Sequence, residues 1–163
     1  MNPSAETVHA LMAAYLKHTD KYGHLPVSLV RVNAGDDISE RHLLVRAGYG
    51  PLSEVARALS PWAMTLDDRS VYLWDSGDMP EAQIQVHGAL ITGTPIEVVG
   101  YVIFGTGVFP NLKPGELCEI PVCALLCWAA TALDDDKAET APQLCGNPGL
   151  CDHSFSKPGP DRM

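Results

Sequence analysis

Residues 82–102, AQIQVHGALITGTPIEVVGYV, restrict the fold of this 163-residue chain more than any other stretch. Ile84, Val86, Gly88 and Leu90 alternate with Gln83, Gln85, His87 and Ala89, and period-two alternation marks a half-buried strand. A second run alternates Ile96, Val98, Gly100 and Val102 with Glu97, Val99 and Tyr101. Between them Ile91-Thr92-Gly93 makes a three-residue loop, with glycine where a left-handed residue is wanted. That loop sets Val86 opposite Val98 and Gly88 opposite Ile96, so the apolar faces agree. A two-residue loop would set Val86 against Val99 and mix the faces, which burial of one face disfavours. The same register places His87 across from Glu97 on the outer face. This pair is expected to be a solvated cross-strand contact; with no third group beside it, a catalytic role is the weaker reading.

The remaining elements follow from periodicity and punctuation. Asn2-Pro3-Ser4 opens a helix whose stripe is Val8, Leu11, Met12, Tyr15 and Leu16, and Gly23 closes it. Residues 27–32 (VSLVRV) and 42–46 (HLLVR) read as strands joined by a turn at 33–37. Gly48-Tyr49-Gly50-Pro51 breaks the chain and starts a second helix with Leu52, Val55, Ala56 and Leu59 inward. Pro61 is expected to end or kink that helix. Asp67-Asp68 reads as a turn and residues 71–74 (VYLW) as a third strand. The order is α-β-β-α-β-β-β: an α+β fold with an antiparallel sheet of about five strands and helices on one face. Leu11, Leu29, Val55, Leu59, Leu73, Val86 and Val98 are the expected core.

After Phe104 glycine and proline dominate, and Val122, Leu125, Leu126, Ala129 and Leu133 then form an amphipathic helix begun by Pro121. About 12 residues of helix are marginal alone in water, so this one is expected to dock on the sheet domain. The chain therefore divides into an α+β domain (1–104), a connector with a C-terminal helix (105–136) and an irregular tail (137–163).

Charge excludes one large class of function. Residues 1–66 carry six acids and six lysines or arginines. Residues 67–163 carry 14 acids and five, which accounts for the whole net charge of −9. Nucleic-acid backbone binding needs clustered lysine and arginine, so nucleic acid is not an expected partner. The longest apolar run, 120–133, is too short to span a bilayer, and the first residues lack a basic leader pattern, so a cytoplasmic chain is expected.

No motif names a reaction. The glycine sets fit neither a dinucleotide fingerprint nor a phosphate loop. Cys118 beside Glu119 has no base to activate it, and the turn aspartates have no spacing that would gather them on a metal. The five cysteines all lie in the last 46 residues. Their odd number in a chain expected to be cytosolic argues against a disulfide framework. Cys123 and Cys127, one helical turn apart, could join Cys145, Cys151 and His153 in a tetrahedral zinc site. The spacing is not that of a standard zinc knuckle, so buried or incidental cysteines are the preferred reading. His9, His18 and His24 do not share a helical face and read as surface or boundary residues.

The segment PLSEVARAL, then SVYLW, then QVHGALITGTPIEVVGYV is similar to small uncharacterised α+β proteins of actinobacteria and their phages. The shared pattern is a short helix, a strand and a hairpin of form V-x-G-x-L-x-x-G-x-P-I-x-V, over about a third of the chain. The resemblance implies an accessory protein of phage or mobile-element origin and transfers no catalytic residue.

The functional expectation is a non-enzymatic, cofactor-free chain that binds another protein, basic or a second copy of itself. Its surface would be the outer hairpin face with Gln83, Gln85, His87, Val99 and Tyr101, where tyrosine and histidine beside an apolar valine suit an interface. The alternative is a small metal-dependent enzyme or zinc-binding regulator using the late cysteines or the His87/Glu97 face.

Overall fold

The computed structural model describes residues 5–131 apart from 36, 104–107 and 110. The expected tail at 137–163 lies outside these residues. The described elements are α1 (Ala5–Tyr22), β1 (Leu29–Ala34), β2 (Arg41–Gly50), α2 (Leu52–Thr65), β3 (Asp67–Asp75), β4 (Ala82–Ala89), β5 (Pro95–Val102), β6 (Leu117–Ile120) and α3 (Val122–Ala130). A single 3-10 turn, Ile38–Glu40, precedes β2.

The fold is α+β, with a mixed six-stranded sheet in the order β1-β2-β5-β4-β3-β6. The hairpin has the register expected from its alternation: Val86 pairs with Val98, Gly88 with Ile96 and His87 with Glu97. Leu90 N–H donates to Thr94 O at 2.9 Å and Gly93 N–H to Leu90 O at 2.8 Å, and Gly93 has φ +81°. Ile91-Thr92-Gly93 is thus the loop, closed through a left-handed glycine.

Two features of the sheet depart from the expected antiparallel meander of five strands. β5 pairs with β2 in parallel, Leu43 with Ile96 through Gly50 with Val102. Helix α2 and the β3–β4 pair intervene in sequence between these strands, so no local turn announces the pairing. A sixth strand, β6, lies in the stretch expected to be connector and pairs antiparallel with β3, Val71 opposite Ile120. At four residues it is too short for an alternation signal.

Strand ends also differ. β2 runs on through Gly48-Tyr49-Gly50, the expected break, because these residues pair with Gly100, Tyr101 and Val102 of β5. β3 begins at Asp67 rather than Val71, with an irregularity between Asp67 and Ser70 and Asp68 at φ +48°. Pro61 does not end α2, which continues to Thr65. Trp62 and Ala63 just beyond it are fully buried, and their burial holds the last turn despite the lost backbone bond.

The helices share one side of the sheet. Val55, Ala56, Leu59, Trp62 and Ala63 of α2 are buried against Leu43, Val45, Val71, Leu73, Ile84, Val86, Ile96 and Val98. Gly100 lets α2 approach: a Cβ there would stand on Val55 Cγ1 and lie 3.1 Å from Leu59 Cδ1. α3 docks on α2 as expected, with Ala124, Leu125 and Trp128 buried and Phe109 against the Trp128 ring at 5.6 Å. Leu126 is only half-buried, and Leu133 lies outside the described residues.

Six of the seven expected core residues are buried; Leu29 is not, at 46% exposure. In β1 the inward residues are Val30 and Val32, which pair with Val45 and Leu43, so Leu29 and Arg31 point to the opposite side. In α1 Leu16 is 53% exposed, while Leu11, Ala14 and His18 are buried. The inward stripe is thus rotated from the one expected, and it includes a histidine.

Candidate functional site

With α1, α2 and α3 on one side, the other side of the sheet has no described helix against it. The strand register arranges most of its side chains in three central rows. The first runs Arg31, Leu44, Glu97, His87, Ser70 from β1 to β3. The second runs Leu29, Arg46, Val99, Gln85, Tyr72, Glu119 from β1 to β6. The third runs Tyr49, Tyr101, Gln83, Trp74, Leu117 from β2 to β6. Gln83, Gln85, His87, Val99 and Tyr101, expected as a binding surface, all lie here.

Local backbone geometry places one of these residues. Between Arg46 and Gly48 the β2–β5 register shifts by one residue, a β-bulge. Arg46 faces outward and Ala47 is buried inward, so unbroken alternation would turn Tyr49 inward. The extra residue reverses that parity and sets Tyr49 beside Tyr101 on the open face, 58% exposed.

The polar groups hold one another in place. Tyr49 donates its hydroxyl to Glu81 Oε1 at 3.0 Å, and this carboxylate raises the phenol's pKa above its ordinary value. The Arg46 guanidinium stands 4.5 Å from the Tyr101 ring centre and 6.0 Å from that of Tyr49, within cation–π range. Along β4, Gln85 Nε2 donates to Gln83 Oε1 at 3.1 Å, and the His87 Nε2 lies 3.1 Å from Gln85 Oε1. The His87 ring also leans on Tyr72 at 5.0 Å. His87 and Glu97 are register partners, but the bond that fixes the imidazole goes to Gln85, so the pair does not form a His–carboxylate unit. Beneath this polar layer Val99 is only 4% exposed.

The surface is therefore a band of amides on β4 flanked by aromatics: Tyr101 and Tyr49 on one side, Tyr72 and Trp74 on the other. Leu29, Tyr49 and Leu117 leave large apolar groups exposed at 46%, 58% and 49%. Its outward groups are aromatic rings and amides carried on a stiff sheet.

The cysteines fall elsewhere. Cys118 on β6 and Cys123 on α3 are disulfide-bonded, and Cys127 is an exposed free thiol. The expectation of no disulfides is corrected accordingly; an odd count is compatible with bonded cysteines plus a leftover thiol. A disulfide-bonded Cys123 has no thiolate to offer zinc in this state. Cys145, Cys151 and His153 lie outside the described residues. Among the described residues no three His, Cys, Asp or Glu side chains gather to hold a metal ion, and no helix is long and apolar enough to cross a membrane.

Sequence reasoning also misplaced His18, expected at the surface or boundary and in fact wholly buried. Its Nδ1 accepts from Ile91 N–H at 3.2 Å, in the β4–β5 loop, which leaves Nε2–H to donate to Thr65 Oγ1 at 3.1 Å. Thr65 donates in turn to Trp62 O at 3.1 Å, and the imidazole stacks on Trp62 with 6.1 Å between centres and 5° between planes. Burial lowers its pKa, Asp67 opposes that shift and Lys21 adds to it. The signal available in the sequence was its place three and four residues beyond Tyr15 and Ala14, on the inward stripe.

No family model, curated protein or solved structure matches the chain.

Proposed function

We propose that this chain is a non-enzymatic protein-interaction domain whose working surface is the open face of its sheet. The observation that carries the reading is the segregation of the fold. All described helices lie on one side, while the other side holds Tyr49, Tyr72, Trp74 and Tyr101 around the Gln83-Gln85-His87 strand. Tyrosine and tryptophan combine large contact area with few rotatable bonds, which makes them the usual anchors of protein interfaces. Arg46 stacked on Tyr101, and the amide ladder on β4, hold the polar groups in fixed positions, so fewer rotamers are lost on docking.

The test is site-specific crosslinking in the producing cells. A photo-crosslinking residue at Gln85 should give a discrete covalent adduct, and adding Tyr101→Ala should abolish it while circular dichroism stays unchanged. The same residue at Arg57, exposed on α2, should give none. Absence of an adduct from position 85, or an adduct indifferent to Tyr101→Ala, would remove this reading.

A further inference from the structure

We infer that Cys118 and Cys123 are each bridged to one of the two later cysteines, Cys145 and Cys151, so that the C-terminal segment is fastened to the β6–α3 junction by two bonds that a thiol reductant opens. The fastening does not depend on what the open face binds.

Backbone geometry keeps the two bonded cysteines apart. Glu119 and Ile120 are strand residues of β6, and Pro121 continues the extended path at φ −68° and ψ 145°. Four extended steps of about 3.1–3.3 Å carry the chain about 13 Å from the Cα of Cys118 to that of Val122. Cys123 follows one peptide further, and a step of about 3.8 Å cannot bring its Cα closer than about 9 Å to that of Cys118. A disulfide needs its two Cα atoms within about 7 Å. Cys118 and Cys123 are therefore not bonded to each other, and each has a separate partner.

The cysteine count then names the partners. The chain has five cysteines, and Cys127, one helical turn after Cys123, is a free thiol. Cys145 and Cys151 remain, one for each bonded cysteine. Both lie outside the described residues, and the intervening chain is long enough to reach. The 14 residues 132–145 extend up to about 46 Å, whereas the nine residues of α3 run back only about 14 Å to its start. Cys118 stands across from the buried Leu73 and packs against the core, and Cys123 is the second residue of α3. Both attachment points thus lie on the side of the sheet that carries the helices, and neither belongs to the rows of the open face.

Each bond joins two thiols with loss of two hydrogens, and a disulfide oxidant such as oxidised glutathione takes these up as it becomes a pair of thiols. Reduction reverses the exchange: a thiolate attacks one sulfur of each bond, the other sulfur leaves as a thiolate and takes a proton, and the segment after Thr131 loses its covalent hold on β6 and α3. The redox state of the surroundings therefore sets whether the C-terminal segment is fastened or released.

The test is peptide mapping of the full chain, equilibrated with an excess of reduced over oxidised glutathione and alkylated with iodoacetamide without further reduction. Trypsin spares a lysine followed by proline, so it leaves Lys113 and Lys157 intact and cuts after Arg69, Lys137 and Arg162. Residues 70–137 hold Cys118, Cys123 and Cys127, and residues 138–162 hold Cys145 and Cys151. The two peptides should run as one species, lighter than their sum by the hydrogens of two disulfide bonds, with a single alkyl group on Cys127. Reductant should separate them completely. Cys118→Ser/Cys123→Ser should release residues 138–162 without reductant, and Cys127→Ser should leave the linkage intact. Peptides that separate without reductant overturn the proposal. So does an alkyl group on Cys118 or Cys123, a species that joins two copies of residues 70–137, or a linkage lost with Cys127→Ser.

Discussion

His18 ties three elements that are far apart in sequence: its own helix α1, the end of α2 through Thr65, and the β4–β5 loop through Ile91. Both nitrogens are satisfied only in the neutral ring, because Nδ1 must stay free of hydrogen to accept from Ile91. Folding therefore favours the neutral form, and burial lowers the pKa from 6.5. The sign follows: above the unfolded-state value neither state binds the proton, and the full contribution is present. As pH falls below about 6.5 the unfolded chain takes up a proton that the native state resists, and stability declines until the folded pKa is passed. We expect melting temperature to drop from pH 7.5 to pH 5.5. His18→Phe, which keeps the stack on Trp62 but cannot titrate, should flatten that part of the profile. An unchanged slope in the variant would contradict this account. At the same scale, Gly100 is a spacing residue rather than a turn residue. Gly100→Val would drive a side chain into Val55 and Leu59, and overpacking of this kind costs about 1–3 kcal/mol or more, readable as a lower urea midpoint.

At the scale of elements, α3 shows why a nine-residue helix can be stable. Its Leu125 and Trp128 are buried, and it rests on α2 rather than on the sheet alone. Trp128→Ala should cost about 3–5 kcal/mol, because it removes a large buried ring packed against Phe109. Ending the chain before Pro121 should uncover the outer side of α2, with increased dye binding and aggregation at low concentration. A soluble, monodisperse product would show that α3 is not part of the core. The disulfides at Cys118 and Cys123 lie at the same junction, one on β6 and one at the start of α3. Reduction is expected to lower stability by about 2–4 kcal/mol. Cys118→Ser/Cys123→Ser should match the reduced protein and lose its response to reductant, whereas a thermal midpoint indifferent to reductant would count against a structural role for these bonds.

At the scale of the whole molecule, one buried cluster runs from Leu11 in α1 through the sheet to Trp128 in α3. Contacts shared this widely make unfolding cooperative, so far-ultraviolet and near-ultraviolet circular dichroism should trace one coincident urea transition. Leu59→Ala, at the centre of α2 and wholly buried, should shift that transition by about 2–5 kcal/mol without splitting it. Two separated transitions would mean that the segment after β5 is an independent unit. The segregation of helices to one side also explains why the open face is partly legible in the sequence. Five of its residues follow from alternation in one hairpin. The rest come from β2, β3 and β6, whose neighbours in the sheet are distant in sequence.

Local rules were enough wherever the partner in a pairing is close along the chain. The hairpin register, its three-residue glycine loop, the inward face of α2 and the start of α3 at Pro121 could all be read from residues 51–102 and 121–130, because one period and one turn specify each. Tertiary structure alone decided the β2–β5 parallel pair, the recruitment of 117–120 as β6, and the bulge that turns Tyr49 outward. Each is a contact whose free energy comes from burial against residues brought together by the rest of the fold. The same holds for Leu29 and His18. A single apolar residue in VSLVRV does not reveal its parity until β2 supplies the register. A histidine on a helix is buried only if a loop some 70 residues away, Ile91, arrives to satisfy its second nitrogen.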